Sequence, residues 1–242
     1  MRQALGDVGG EAAGTTATHA ALATGEGESK RAAERAAAAA GLVNGMNASL
    51  VIGQADFISS ASDRTASTLL HPYGKVAVQA GKLFVTDFGN NRVLGFNAIP
   101  TSSGAAADFV LGAPDFTTPA LGTSATDFLG AQGAAVSAAG KFFLGDNGGG
   151  RVLIFNTPPS SYADPANVVV GKSNMTESAS QACVATDLNG PEGFTVVGTK
   201  LIVADSQHNR VLIWNTIPPS NYAPADVVLG QANMTSCSGI SG

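Results

Sequence analysis

The sequence predicts an all-β protein built from four-stranded antiparallel sheets repeated in series. Three observations carry this. The motif VIGQADF around Gly53 recurs as VLGAPDF around Gly112, VVGKSNM around Gly171 and VLGQANM around Gly230, each 59 residues after the last. Other positions keep the same step: Lys82, Lys141 and Lys200; Asp87, Asp146 and Asp205; Arg92, Arg151 and Arg210; Asn97, Asn156 and Asn215; Pro100, Pro159 and Pro218. Within each unit the apolar runs are short and bounded by turn residues, and none is long enough to form a crossover helix. Four strands repeated at a fixed period are the sequence signature of a β-propeller.

The elements follow in chain order. Residues 1–46 lack the repeat and are rich in Ala and Gly. There SKRAAERAAAAAG (Ser29–Gly41) predicts one short helix, with Ser29 as N-cap and Gly41 as C-cap, and the rest reads as disordered or weakly packed. Residues 47–242 hold the repeats, in units beginning near 53, 112 and 171, with a fourth starting near 230. Ser49–Gly53 reads as a surplus outer strand. The first full unit then gives KVAVQ (Lys75–Gln79), LFVTD (Leu83–Asp87), RVLGFN (Arg92–Asn97) and DFVLG (Asp108–Gly112) as strands. Hairpin turns AGK and FGNN join the first three, and a longer loop precedes each first strand. Three full blades are too few to close a ring, since propellers take about four to eight. The ring is therefore expected to be completed by further units or by self-association.

Net charge is −5, and the thirteen Lys and Arg residues are scattered singly, so no basic stripe marks a nucleic-acid partner. No run approaches the roughly 20 apolar residues that span a bilayer. Asp7 and Glu11 stand where a signal peptide would carry its apolar stretch, so no export signal is read. Cys183 and Cys237 both fall in long inter-blade loops. A disulfide between them is one reading, and two unrelated core residues the other.

The segments GKLFVTDFGNNRVLGFN, GTKLIVADSQHNRVLIWN and LNGPEGF closely resemble the NHL-repeat family of β-propellers. The flanking VLGQ and IPPSNYAPADVVLGQ are similar to its long-repeat bacterial variety. That resemblance covers the chain from Ser49 onward and implies an extracellular, periplasmic or cell-surface propeller. It leaves function open, because the family includes interaction scaffolds, RNA-binding modules and a few enzymes.

A functional site breaks repeat symmetry, whereas a brace recurs in every blade. The pairs Asp87–Arg92, Asp146–Arg151 and Asp205–Arg210 flank one hairpin in each unit and are read as structural braces. The residues that differ between blades are the ligand-face candidates: His71, Tyr73 and Asn90 in the first unit, Gln207 and His208 in the third. In a propeller, the loops that carry them open on one face. The expected function is a non-enzymatic binding or protein-interaction module for a protein, small-molecule or carbohydrate ligand. The alternatives are a metal-dependent propeller enzyme of lyase or lactonase type whose remaining blades lie outside this chain, and a self-assembling structural segment. No catalytic residue, metal ligand or cofactor is assigned; the enzyme alternative would hold Ca or Zn in the central channel.

Overall fold

Each repeat folds into one antiparallel sheet whose strands pair in chain order. The computed structural model describes residues 47–178 and 182–239. The predicted helix Ser29–Gly41 lies outside the described residues. The chain divides into Met1–Ser49, of which only the exposed residues 47–49 are described, and Leu50–Gly242, which carries every described strand. The first sheet comprises β1 (Ala77–Gln79), β2 (Lys82–Asp87), β3 (Arg92–Phe96) and β4 (Phe109–Leu111). The second comprises β5 (Ala131–Val136), β6 (Phe142–Asp146), β7 (Arg151–Phe155) and β8 (Val168–Val170). The third comprises β9 (Pro191–Val197), β10 (Lys200–Asp205), β11 (Arg210–Trp214) and β12 (Val227–Leu229). Strand β5 packs on both β1 and β9, so the first strands lie innermost and the fourth strands outermost. This is a partial β-propeller of three blades. Among the described residues no helix is long and apolar enough to cross a membrane.

The strands of the middle blade read as continuous apolar runs because both of its faces are buried. On one face of the first blade, Phe84, Val93, Phe109 and Leu111 pack against Phe142, Leu144, Leu153, Phe155 and Val169 of the second. The rings of Phe84 and Phe142 meet at 4.6 Å. One repeat later, Phe143, Val152, Ile154 and Val170 pack on Leu201, Val203, Leu212 and Trp214. The blades therefore share one packing rule: the positions equivalent to Phe84 cover those equivalent to Leu83 in the next unit.

Each outer strand ends in a glycine with positive φ: Gly112 at 81° and Gly171 at 92°. A Cβ at Gly112 would sit 2.4 Å from the Phe128 ring, and one at Gly171 would sit 2.8 Å from Leu188. Glycine recurs here because the chain must turn tightly under an apolar anchor of the following loop.

The surplus strand at Ser49–Gly53 is corrected. Residues 49–53 carry no ladder among the described residues. Instead the Val51 amide donates to Ser103 Oγ at 3.2 Å, and the Gly104 amide donates to Val51 O at 3.2 Å. Val169 of β8 makes the same pair of contacts with Asn221 and Tyr222, two repeats on. The segment occupies an outer-strand position, but a strand needs a neighbour, and no third strand stands beside it in the described residues. The residues from Gly230 to Gly239 likewise begin a fourth unit without forming a strand.

Candidate functional site

The Asp and Arg of each hairpin are fully or almost fully buried. Arg92 Nε donates to Asp87 Oδ2 at 2.7 Å, Arg151 Nε to Asp146 Oδ2 at 2.8 Å and Arg210 Nε to Asp205 Oδ2 at 2.7 Å. The remaining guanidinium donors reach main-chain carbonyls. Arg92 Nη2 donates to Thr65 O and Thr68 O in the incoming loop, and Nη1 donates to Phe116 O in the outgoing loop. Arg210 repeats this with Val184 O, Asp187 O and Met234 O. The carboxylate also accepts the amide of the loop before the inner strand: Leu70 N at 2.6 Å, Leu129 N at 2.8 Å and Asn189 N at 2.7 Å. These bonds occupy both charged groups and fix the loops of one face against the blade.

That face opens onto a pocket of ≈ 210 Å³ lined by Gly74, Lys75, Gln132, Gly133, Ala134, Glu192, Gly193 and Phe194. The inner strands begin here. Ala134 donates its amide to Lys75 O at 3.0 Å, which ties the first two blades together. The approach is close enough that a Cβ on Gly74, whose φ is 88°, would lie 2.6 Å from Gly133 N. Aligned on Gly74, Gly133 and Gly193, the residue before the glycine is Tyr73, Gln132 or Glu192, and the residue after it is Lys75, Ala134 or Phe194. Lys75 and Glu192 are exposed, and neither has an ion-pair or side-chain hydrogen-bond partner among the described residues. The pocket thus combines one cation, one anion, one amide and the aromatic edge of Phe194.

The predicted candidates divide between this mouth and the braces. His71, at φ 48°, stacks on Tyr73 with ring centroids 6.1 Å apart, and Tyr73 leans on Phe88 at 5.3 Å. Tyr73 is exposed and directly precedes Gly74 of the pocket. Gln207 is exposed beside Gly190, where a Cβ would meet its Cγ at 2.8 Å. Asn90 instead donates Nδ2 to Asp87 Oδ2 at 2.9 Å. His208 is withdrawn from the ligand face: it is 5% exposed, with Nδ1 2.9 Å from Asp205 Oδ2. Asn90 and His208 are repeat-equivalent, and both complete the brace carboxylate. Lys75 and Gln132 escaped the sequence reading because they fall within predicted strand and loop text. The signal that finds them is their difference from Ala134, Phe194 and Glu192 once the glycines are aligned.

Cys183 and Cys237 form a disulfide, with Cα atoms 6.0 Å apart. It joins the loop that enters the third blade to the segment that leaves it. Among the described residues no group of three His, Cys, Asp or Glu side chains converges. His71 lies against Tyr73, and His208 lies against Asp205.

Neither a family model nor a curated protein matches this sequence. The NHL resemblance therefore rests on the quoted motifs. Among solved structures, one described as "Streptogramin B lyase structure" is similar at 16% identity and a TM-score of 0.36. The match covers 64% of this chain and 39% of that one.

Proposed function

We propose that the chain is a non-enzymatic binding module of NHL type whose ligand docks at the mouth of the inner strands. The observation that carries this reading is the convergence of unpaired Lys75 and Glu192 with Gln132 and Phe194, at positions where the three blades differ. The pocket is smaller than the roughly 300 Å³ at which sites for drug-sized ligands begin. It suits a short polar group bearing both charges, such as the head of an amino acid or a pair of side chains from a peptide. Lys75 would take the anionic group, Glu192 the cationic one, and Phe194 the intervening carbons. Titration of the full chain with a Lys-Glu dipeptide is expected to move the amide resonances of Gln132 and Gly193. The shifts should vanish in the Lys75→Ala, Glu192→Ala double variant, whose fold is spared because both side chains are exposed. Shifts confined to the opposite end of the blades, around Asn97–Pro100, would refute the assignment.

Self-association is a second reading, favoured by the uncovered face of the third blade. Val227 is 37% and Leu229 51% exposed, whereas the equivalent Val168 and Val170 are 7% and 0% exposed under the next blade. At the other end Val76 and Val78 are exposed at the inner strand. The partner proposed is a second copy of this chain. A ring made of whole copies holds a multiple of three blades, and only six falls in the range of about four to eight. The disulfide supports an oxidising compartment, hence an extracellular, periplasmic or cell-surface setting.

A further inference from the structure

The first blade has a seat for the outer strand of a preceding blade, and residues 51–54 of its own chain sit in it. Ile52 packs on the cluster that holds Leu69, Leu83, Val85, Leu94 and Phe96. Its repeat equivalents do the same one blade on: Leu111 joins the cluster of Phe142 and Leu144, and Val170 that of Leu201 and Val203. Gly53, at φ 88°, turns beneath Leu69, where a Cβ would lie 2.5 Å from Leu69 Cδ1. Gly112 and Gly171 turn in the same way beneath Phe128 and Leu188. The bonds of Val51 to Ser103 and Gly104 repeat those of Val169 to Asn221 and Tyr222. Residues 51–54 thus make the contacts of an outer strand without a sheet behind them.

A second segment has the same pattern and no seat among the described residues. VLGQ at Val228–Gln231 repeats VIGQ at Val51–Gln54, with Leu229 in the place of Ile52. Leu229 is 51% exposed, and Val228 has no counterpart of the two loop bonds that Val51 and Val169 make. Unlike Ile52, Leu229 arrives on a complete sheet, because β12 pairs with β11 and through it with β10 and β9. A third blade seated behind a first blade would continue the interface that already joins the first blade to the second and the second to the third. It would also take Val227 out of water together with Leu229, so a whole blade gains more apolar burial than the lone segment does.

We propose that residues 51–54 are a placeholder, and that a second copy of this chain displaces them with its own residues 228–231. The partner's Val228 would then bond to Ser103 and Gly104, the partner's Leu229 would replace Ile52, and the partner's Gly230 would turn beneath Leu69. This inference rests on the self-association reading and adds that the copies join by exchange. Association is weakened by the fraction of seats that the placeholder fills.

The test follows light scattering and amide exchange of the full chain, natural and Ile52→Ser. In the dimer the Val51 amide is expected to lose protection and the Val228 amide to gain it, while Gly104 stays protected by its new acceptor. Ile52→Ser spares the blade cores because the side chain is only half-buried on a segment outside every sheet. It should tighten association about tenfold, since it weakens the placeholder and leaves the incoming strand untouched. Adding Leu229→Ser should reverse that gain. A dimer that keeps Val51 protected, or that Ile52→Ser weakens or leaves unchanged, overturns the exchange and spares self-association. A chain that stays monomeric both with and without Ile52→Ser overturns both.

Discussion

Asp87, Asp146 and Asp205 occupy one motif, yet the hydrogen bonds that complete them differ. Asn90 donates a side-chain amide to Asp87, and His208 sets a ring nitrogen against Asp205. The equivalent residue in the second blade is Gly149, which offers only its main-chain amide at 3.3 Å. Burial pushes the Asp146 carboxyl up, against the opposing pull of Arg151 and the amides of Leu129 and Gly149. Asp87→Asn is expected to destabilise by about 3 to 5 kcal/mol, since it leaves Arg92 buried without a counter-charge. Asp146→Asn should cost about 1 to 2 kcal/mol less, because its carboxylate is the less well satisfied of the two. Urea unfolding of both variants measures this, and equal losses would show that the third partner contributes nothing. The brace pairing was legible from the five-residue spacing and its return. The diversion of Asn90 and His208 into the brace was not, because a histidine in a turn reads the same whether it faces solvent or a carboxylate.

At the scale of elements, the turn after each outer strand is built on one acceptor side chain. Asp115 Oδ1 accepts from Thr117 N at 2.8 Å and Thr118 N at 2.7 Å, and Asn174 Oδ1 accepts from Thr176 N at 3.0 Å and Glu177 N at 3.1 Å. Asp and Asn interchange along the repeat because this turn needs only an oxygen two residues ahead of the amide. The threonine amides and hydroxyls hold the Asp115 carboxyl well below the usual carboxylate range. A carboxyl depressed in the folded state stabilises above its unfolded value of 3.8 and loses that contribution as pH falls. Amide exchange at Thr117 and Thr118 is therefore expected to lose protection between about pH 4 and about pH 2 in the natural chain, but not in Asp115→Asn. Matching acid profiles would remove the carboxylate from the account. Element limits were legible to within two residues. The main shortfall is β1, which pairs only over Ala77–Gln79 because the Lys75 carbonyl is taken by Ala134 of the neighbouring blade.

For the whole molecule the open ends matter most. An apolar sheet face is stable when a second layer covers it, and the third blade presents Val227 and Leu229 without one. Light scattering is expected to show a dimer that Val227→Ser, Leu229→Ser converts to a monomer. A natural chain that is monomeric at all concentrations would count against the second copy as the cover. Both substitutions are on the exposed side, so the inter-blade cores around Phe142 and Trp214 remain intact.

What the sequence determined by itself is everything that the 59-residue period multiplies: the blade, its four strands, the hairpin brace and the turn glycines. Periodicity is visible in one dimension because each unit solves the same packing problem with the same residue types. What only the tertiary structure decided is where non-repeating residues meet. Lys75, Gln132 and Glu192 come from three units. Their proximity follows from the convergence of inner strands and the return of loops to one face. No local pattern encodes that, since it depends on how one sheet packs upon the next.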